Sequence, residues 1–386
     1  MSKLIYVQAQ ADHIASLSKA APVSAIEELV WNALDADARE VRIDALTGPL
    51  GAVESVRISD DGSGINILRA DSTFGSLGGS WKLSGGGTDS LHRRLHGRHG
   101  RGRFKAFALG RSVEWRTTCK AGGQLVSYVI AGDISNPGVF SIEKASATGP
   151  ATGTEVFVSN AGANCDSLLD TAETVQALAS KFALYLKSYP DVRIYFNGIP
   201  VTPVIVQRRV SDYRFPVAGG EAKLEIIEWK RKFAGSGRLV LAGPDGFDLH
   251  EMPLAVRTGG ASFTAYLVSP RFPALSAENA LVMDELHPEV RAHLDGAKKL
   301  VKAHFAAAAE DDAAGLVGNW IREGAYPYGE DDNSPERERF DKAAVELAGK
   351  FAGFSALGTG ERAILLKLLK HAVSSAKGAT LKKLLA

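Results

Sequence analysis

The sequence predicts an α+β protein: an α/β sandwich first, a second α/β unit after it, and a small helical segment at the end. Three observations lead there. Helix-type and strand-type hydrophobic periods alternate along roughly the first 160 residues, which are also rich in glycine. A second run of strand patterns follows an Asn197-Gly198 turn and ends in one long helical pattern. The polar stretch Gly329–Glu336, which holds Pro335, reads as a linker ahead of helical sequence. The expected divisions are 1–190, 191–328 and 329–386.

The elements follow in chain order. Leu4–Ala9 reads as a short strand. Ser24–Ala38 reads as a helix, because Ile26, Leu29, Val30, Ala33 and Leu34 recur at helical spacing and Pro22 stands near its start, where proline is tolerated. Val41–Leu46 and Val53–Ser59 alternate as strands across a Gly-Pro-Leu-Gly turn. Thr73–Gly102 is dense in Gly, Ser, Arg and His and reads as a long mobile loop. A helix is expected over Gly102–Leu109, then strands at Val113–Thr118, Leu125–Ile130, Phe140–Ile142 and Glu155–Val158. A helix over Ala172–Ser188 closes this unit. The second unit is expected to open with Val192–Phe196. Its further strands are Leu224–Trp229, Arg238–Ala242 and Ser262–Val268, and a helix spans Glu289–Phe305.

Composition narrows the function classes. With 45% hydrophobic and 23% charged residues, the 386-residue chain is globular, and whole-chain disorder is excluded. The net charge of +1 gives no global pull toward nucleic acid or an acidic partner. Cys119 and Cys165 by themselves support neither a disulfide framework nor a four-thiolate zinc site. No basic segment followed by an apolar stretch opens the sequence, and no apolar run reaches membrane-spanning length. A cytoplasmic protein without membrane contact is the expectation.

Four features carry chemistry. On a helix, Glu28, Asn32 and Asp35 share one face. Such a stripe can hold a hydrated magnesium ion, with Glu28 placed to polarise a water; it equally fits a solvated helix face. Asp60-Asp61-Gly62-Ser63-Gly64 follows a strand directly. A carboxylate there can accept from an exocyclic amine such as that of adenine, and Gly62 and Gly64 let backbone approach a flat ring; a plain turn is the alternative. Gly97, Gly100, Arg101, Gly102 and Lys105 open a helix, where exposed amides and cations suit phosphate; a flexible basic loop for nucleic acid is the alternative. This is not a P-loop, because Gly349-Lys350 is followed by Phe351. Thr154 follows Gly153 at a strand start, where its hydroxyl could support the carboxylate through a water; Gly-Thr also opens many ordinary strands. His92 and His96 stand four apart but lack a third ligand, and are read as ordinary side chains.

In order, Glu-x-x-x-Asn-Ala-x-Asp-Ala, Asp-x-Gly-x-Gly, Gly-x-x-Gly-x-Gly and Gly-Thr between Glu28 and Thr154 resemble the motifs of the GHKL ATPase superfamily, the group of DNA gyrase B, HtpG-type chaperones, sensor histidine kinases and MutL. The resemblance implies a Bergerat-type ATP-binding sandwich with ATP and Mg2+ as ligands. It implies Glu28 as general base, Asn32 as magnesium ligand, Asp60 as reader of the adenine amine, and Thr73–Gly102 as an ATP lid. Gly62 and Gly64 would lie against the base, Gly100 and Gly102 over the phosphates, and Thr154 beside the adenine; Asp35 matches the helix motif. Asp61 stands where many relatives have Asn, and Arg103 shifts the spacing after the last glycine. The continuation past residue 190 resembles the S5-like transducer of the MutL, MORC and HtpG branch. That implies slow hydrolysis, an ATP-dependent homodimer, and action on a partner protein or DNA. Lys230, Arg257 and Arg271 are candidates for a γ-phosphate contact. The alternative is an ATP-sensing interaction module without turnover. Lys367, Lys370, Lys377, Lys382 and Lys383 form a basic end on an amphipathic pattern.

Overall fold

The computed structural model describes residues 3–6, 19–75, 88, 90–91, 93, 95–96, 102–145, 147–232, 237–329, 332–351 and 353–375. The chain forms two compact units, residues 1–255 with 261–297 and residues 256–260 with 298–386.

The first unit holds two sheets among the described residues. The first is built from β1 (Lys3–Tyr6), β2 (Glu40–Thr47), β3 (Val53–Asp60), β4 (Gly110–Ala121), β5 (Gln124–Asp133), β6 (Val139–Lys144), β7 (Gly153–Ala161), β8 (Arg193–Phe196) and β9 (Ile199–Pro200). Their spatial order is β1-β6-β5-β4-β7-β3-β2-β8-β9. All neighbours are antiparallel except β2 and β8. The sequence reading placed Val192–Phe196 at the opening of the second unit. The structure instead adds β8 to the first sheet, with Val41 opposite Ile194.

Helix α1 (Pro22–Asp35) lies on this sheet. Pro22 occupies its first turn, where a missing N–H costs nothing. Ala25, Ile26, Leu29, Val30, Ala33 and Leu34 are all buried, which is the predicted stripe. The helix ends at Asp35, and Asp37 beyond its C-cap has a φ of 64° in the left-handed region; Ala38 N–H then donates to Ala33 C=O at 3.1 Å. Short elements follow: α2 (Ile67–Gly75), then the single-turn α3 (Gly102–Lys105) continued by a 3-10 turn over Ala106–Ala108. The helix expected to run to Leu109 is therefore split in two.

Helix α4 (Thr171–Ser188) serves both sheets. Asp170 caps it by accepting from Glu173 N–H. Val175, Leu178, Ala179, Phe182 and Tyr185 join the core of the first sheet. Ala183 and Leu184 pack with Ile227, Trp229, Val240, Ala242 and Tyr266 of the second. After the short α5 (Pro203–Val206), that second sheet comprises β10 (Gln207–Val217), β11 (Gly220–Trp229), β12 (Gly237–Ala242), β13 (Asp248–Pro253) and β14 (Ser262–Val268), in the order β10-β11-β14-β12-β13. Only β12 and β14 run parallel. α6 (Phe272–Ala277) follows, then α7 (Pro288–Arg322), which continues well past the expected end at Phe305.

The second unit contains the later part of α7 with α8 (Pro335–Lys350) and α9 (Thr359–Ser375). Its core is Val317, Trp320, Phe340, Ala343, Ala344, Phe354, Leu366 and Val373. The Ser334 hydroxyl caps α8 by accepting from Arg337 N–H, with Pro335 next in the chain. Lys370 donates to Pro327 C=O and stands 3.8 Å over the Tyr328 ring. Lys377, Lys382 and Lys383 lie outside the described residues. No helix among the described residues is long and apolar enough to cross a membrane.

Candidate functional site

Three neighbouring strands set the centre of the site. In the β3–β7 register Asp60 stands opposite Thr154, and in the β4–β7 register Thr117 stands opposite Thr154. Thr117, Thr154 and Asp60 therefore lie in a row across the sheet. Asp60 Oδ1 accepts the N–H of Gly62 at 2.8 Å and of Thr154 at 3.3 Å. No described residue hydrogen-bonds Oδ2. Burial pushes the carboxyl up to about 6 against the lowering effect of those two N–H groups, while the nearby Asp61 charge adds to the rise.

The turn after Asp60 is held from every side. Asp61 Oδ1 accepts Arg39 N–H at 2.7 Å and Glu40 N–H at 2.8 Å, which ties the end of β3 to the start of β2. Ser63 N–H donates to Ala36 C=O at 2.7 Å, which joins the turn to the end of α1. Ile65 N–H donates to Thr117 Oγ1 at 2.9 Å, and Tyr128 donates to Ile65 C=O at 2.5 Å. A Cβ at Gly62 would meet Ala36 C=O at 2.7 Å. Gly64 has a φ of 73°, and a Cβ there would run into Thr118 C=O. Gly153 has a φ of 153°, and its Cβ would collide with Asp60 C=O. Only glycine permits such approaches without moving a strand.

α1 supplies the second wall. Glu28 is mostly buried, and its Oε2 lies 3.1 Å from Lys105 Nζ. Asn32, one turn on, is half-buried, and no described residue hydrogen-bonds its side chain. Asp35 is 8% exposed, and its Oδ1 accepts the backbone N–H of His96 at 2.8 Å. That makes it an anchor for the segment leading into the glycine motif. Asp37 Oδ2 accepts from Ser90 N–H at 2.8 Å, and Arg93 donates to Ala38 C=O at 2.7 Å. The His96 ring stacks on Trp31 with centroids 4.3 Å apart, and Phe247 packs on both. The stretch expected to be wholly loop thus begins inside α2, and its Thr88, Arg93 and Leu95 are buried. Gly97, Gly100, Arg101, His92, His99 and Trp81 lie outside the described residues. Gly102 is the first residue of α3.

Among the predicted site residues, the structure pairs Glu28 with Lys105, joins Asp60 to Gly62 and Thr154, and sets Gly64 against Thr118. It adds direct contacts at Thr154. Thr154 reaches Asp60 through its backbone N–H, while its hydroxyl lies 3.0 Å from Thr117 Oγ1. Thr117 and Tyr128 escaped the sequence reading because they sit in the plain strands β4 and β5, with no motif around them. Among the γ-phosphate candidates, Lys230 donates to Ile205 C=O, and Arg271 grips Glu289 through two nitrogens. Trp229 donates to Thr264 Oγ1 at 3.0 Å in the core. Among the described residues no cluster of three His, Cys, Asp or Glu side chains is placed to hold a metal.

Residues 20–148 match the family described as "Histidine kinase-, DNA gyrase B-, and HSP90-like ATPase". The match takes in Glu28, Asn32, Asp60 and Lys105 and supports the GHKL resemblance for that segment; Thr154 lies just beyond it. No curated protein matches the chain.

Proposed function

We propose that the chain binds ATP at this site with magnesium and hydrolyses it slowly. The observation that carries the reading is Asp60. Its Oδ1 is committed to two backbone N–H groups, which leaves Oδ2 as an acceptor for an exocyclic amine. Around it, Gly62, Gly64 and Gly153 keep Cβ atoms out. Asn32 is the residue that would hold magnesium. A single amide oxygen suits a hard cation that takes its other ligands from phosphate and water. When bound, that ion neutralises phosphate charge and orients the phosphates.

The chain's own groups divide the remaining work. Asp60 accepts the amine, and Thr154 borders the base. Lys105 offers an ammonium to phosphate oxygens. Glu28 takes a proton from the attacking water as it adds to the terminal phosphorus; ADP leaves as the bond to its oxygen breaks. In this reading the segment 73–102 closes over ATP and two chains pair when it does. The second sheet, with its parallel β12–β14 pair, acts as an S5-like transducer toward a partner protein or DNA. The layout would be that of the MutL, MORC and HtpG branch.

A second reading is binding without turnover, favoured by the ion pair that ties Glu28 to Lys105. Phosphate release by the purified chain, with and without duplex DNA, separates the two. Light scattering with and without Mg-ATP tests pairing. Turnover above the Glu28→Ala background supports the ATPase. ATP binding with no turnover in either condition selects the sensing module. Calorimetry that detects no Mg-ATP binding overturns both.

A further inference from the structure

We propose that Thr117 is a positioning residue that makes this site choose adenine over guanine, acting through Thr154 and Ile65. This rests on the ATP reading above. Thr117 is 3% exposed, so it works through its neighbours and not by touching the base.

A hydroxyl has one proton and two lone pairs. Thr117 Oγ1 spends one lone pair on Ile65 N–H at 2.9 Å. Its proton has two acceptors in reach, Thr154 Oγ1 at 3.0 Å and Gly153 C=O at 3.3 Å. The nearer one is Thr154. With the Thr117 proton given to Thr154 Oγ1, the proton of Thr154 itself is released to point elsewhere. Thr154 keeps 9% exposure, and its backbone N–H already contacts Asp60 Oδ1. The site then presents a donor at Thr154 beside an acceptor at Asp60. The Watson–Crick edge of adenine is the complement, with an amine donor at N6 and an acceptor at N1. Guanine carries an acceptor at O6 and a donor at N1, so both contacts would be mismatched.

The second arm runs through Ile65. Thr117 holds its N–H and Tyr128 holds its C=O, at 2.9 Å and 2.5 Å. The turn that places Gly62 and Gly64 is thereby fixed at its far end. Without the Thr117 hydroxyl, Ile65 N–H loses its acceptor and the Thr154 hydroxyl loses the donor that orients it, so it can accept from guanine N1 as readily as it donates to adenine N1.

The test compares ATP and GTP on the full chain by calorimetry with Mg2+ and by phosphate release. Thr117→Val keeps shape and removes the hydroxyl. Its dissociation constant for ATP should rise about tenfold, with kcat at saturation within about twofold, because a buried polar partner is lost without touching the phosphates. The ATP-over-GTP preference should fall by a similar factor. Thr117→Ser should restore both. A purely structural residue would weaken ATP and GTP alike and leave their ratio unchanged, and that result overturns the proposal. If the valine variant does not fold, Thr117→Cys, a weaker donor and acceptor of similar size, carries the same comparison. A parent that binds neither nucleotide overturns the ATP reading and this role together. A parent that binds ATP, with a variant that keeps the preference, overturns this role alone.

Discussion

Lys105 Nζ lies 3.1 Å from Glu28 Oε2, so the cation assigned to phosphate and the carboxylate assigned to water share one ion pair. Phosphate must therefore compete with Glu28 for Lys105. Two opposite outcomes are expected. Glu28→Ala should abolish hydrolysis while holding or tightening ATP binding, because it removes the competitor. Lys105→Gln should weaken ATP binding roughly tenfold or more, as expected for a lost charge-assisted contact. Calorimetry and phosphate release read both. Parental turnover in Glu28→Ala would remove it as the base.

If Asp60 reads the adenine amine, ATP binding should depend on pH. Burial holds its carboxyl up at about 6, above the ordinary range. Only the ionised form accepts an amine at Oδ2, so affinity should fall by up to about tenfold per unit as pH drops below 6. Stability without nucleotide runs the other way. Between the ordinary carboxylate value and 6 the folded chain holds a proton that the unfolded chain lacks. Lowering pH from 7 to 5 should therefore stabilise the fold, by an Asp60 contribution of about 1.3 kcal/mol, and raise the melting temperature. Asp60→Asn should erase that slope and lose ATP. Its one oxygen is required by Gly62 and Thr154 N–H, which puts an NH2 against the adenine amine. A melting series over pH 5–8 on both proteins checks it.

Gly64→Ala should damage stability and binding together. The added Cβ meets Thr118 C=O, and the φ of 73° is strained for any L side chain. The backbone cost alone is about 1–2 kcal/mol, before the clash is counted. Urea unfolding should show at least that loss, with ATP affinity reduced as the turn moves. A variant of parental stability would mean that the turn has room the structure does not show.

Much of the first sheet and of α1 could be read from sequence, because their burial follows local periods. Ile26, Leu29, Val30, Ala33 and Leu34 mark their helix, and Val53–Ser59 marks its strand, without outside help. β10 was not legible. Along Gln207–Val217 exposed and half-buried residues alternate at an edge, so no side of it is fully apolar. α2 buries only Ala70 and Phe74, and β13 is short and ends in proline. α7 runs past its expected end at Phe305 because the alanines of Ala306–Ala309 and Glu310 are good helix formers, although they carry no apolar stripe to mark the helix. In the site, the side chains inside motifs were legible and their supports were not. Thr117 meets Thr154 only through strand register, 37 residues away in sequence. The role of Asp35 as anchor for His96 likewise depends on a contact 61 residues distant.

A half-buried ionic cluster also lies between α4 and the second sheet, and its removal should be costly in one specific way. Lys181 Nζ on α4 lies 2.8 Å from Glu251 Oε2 and 3.3 Å from Asp248 Oδ2 on β13. Arg238 of β12 adds a contact to Glu251 at 3.3 Å. Burial works against the Lys181 charge, but Asp248, Glu251 and Glu27 outweigh it and hold the ammonium above its usual value. Burial raises Asp248 and Glu27, with Lys181 opposing the rise in both. Lys181→Met therefore strands Asp248, Glu251 and Glu27 with one arginine, and should cost about 1–3 kcal/mol at pH 7.5, between the values for exposed and fully buried pairs. The stranded acids can escape by taking up protons, so the loss should shrink when unfolding is repeated at pH 5.5. Adding Asp248→Asn to Lys181→Met should recover part of the stability, although Asp248→Asn alone should destabilise. Such a sign change is the mark of coupled charges. Two independent packing defects would instead simply add in the double-mutant cycle.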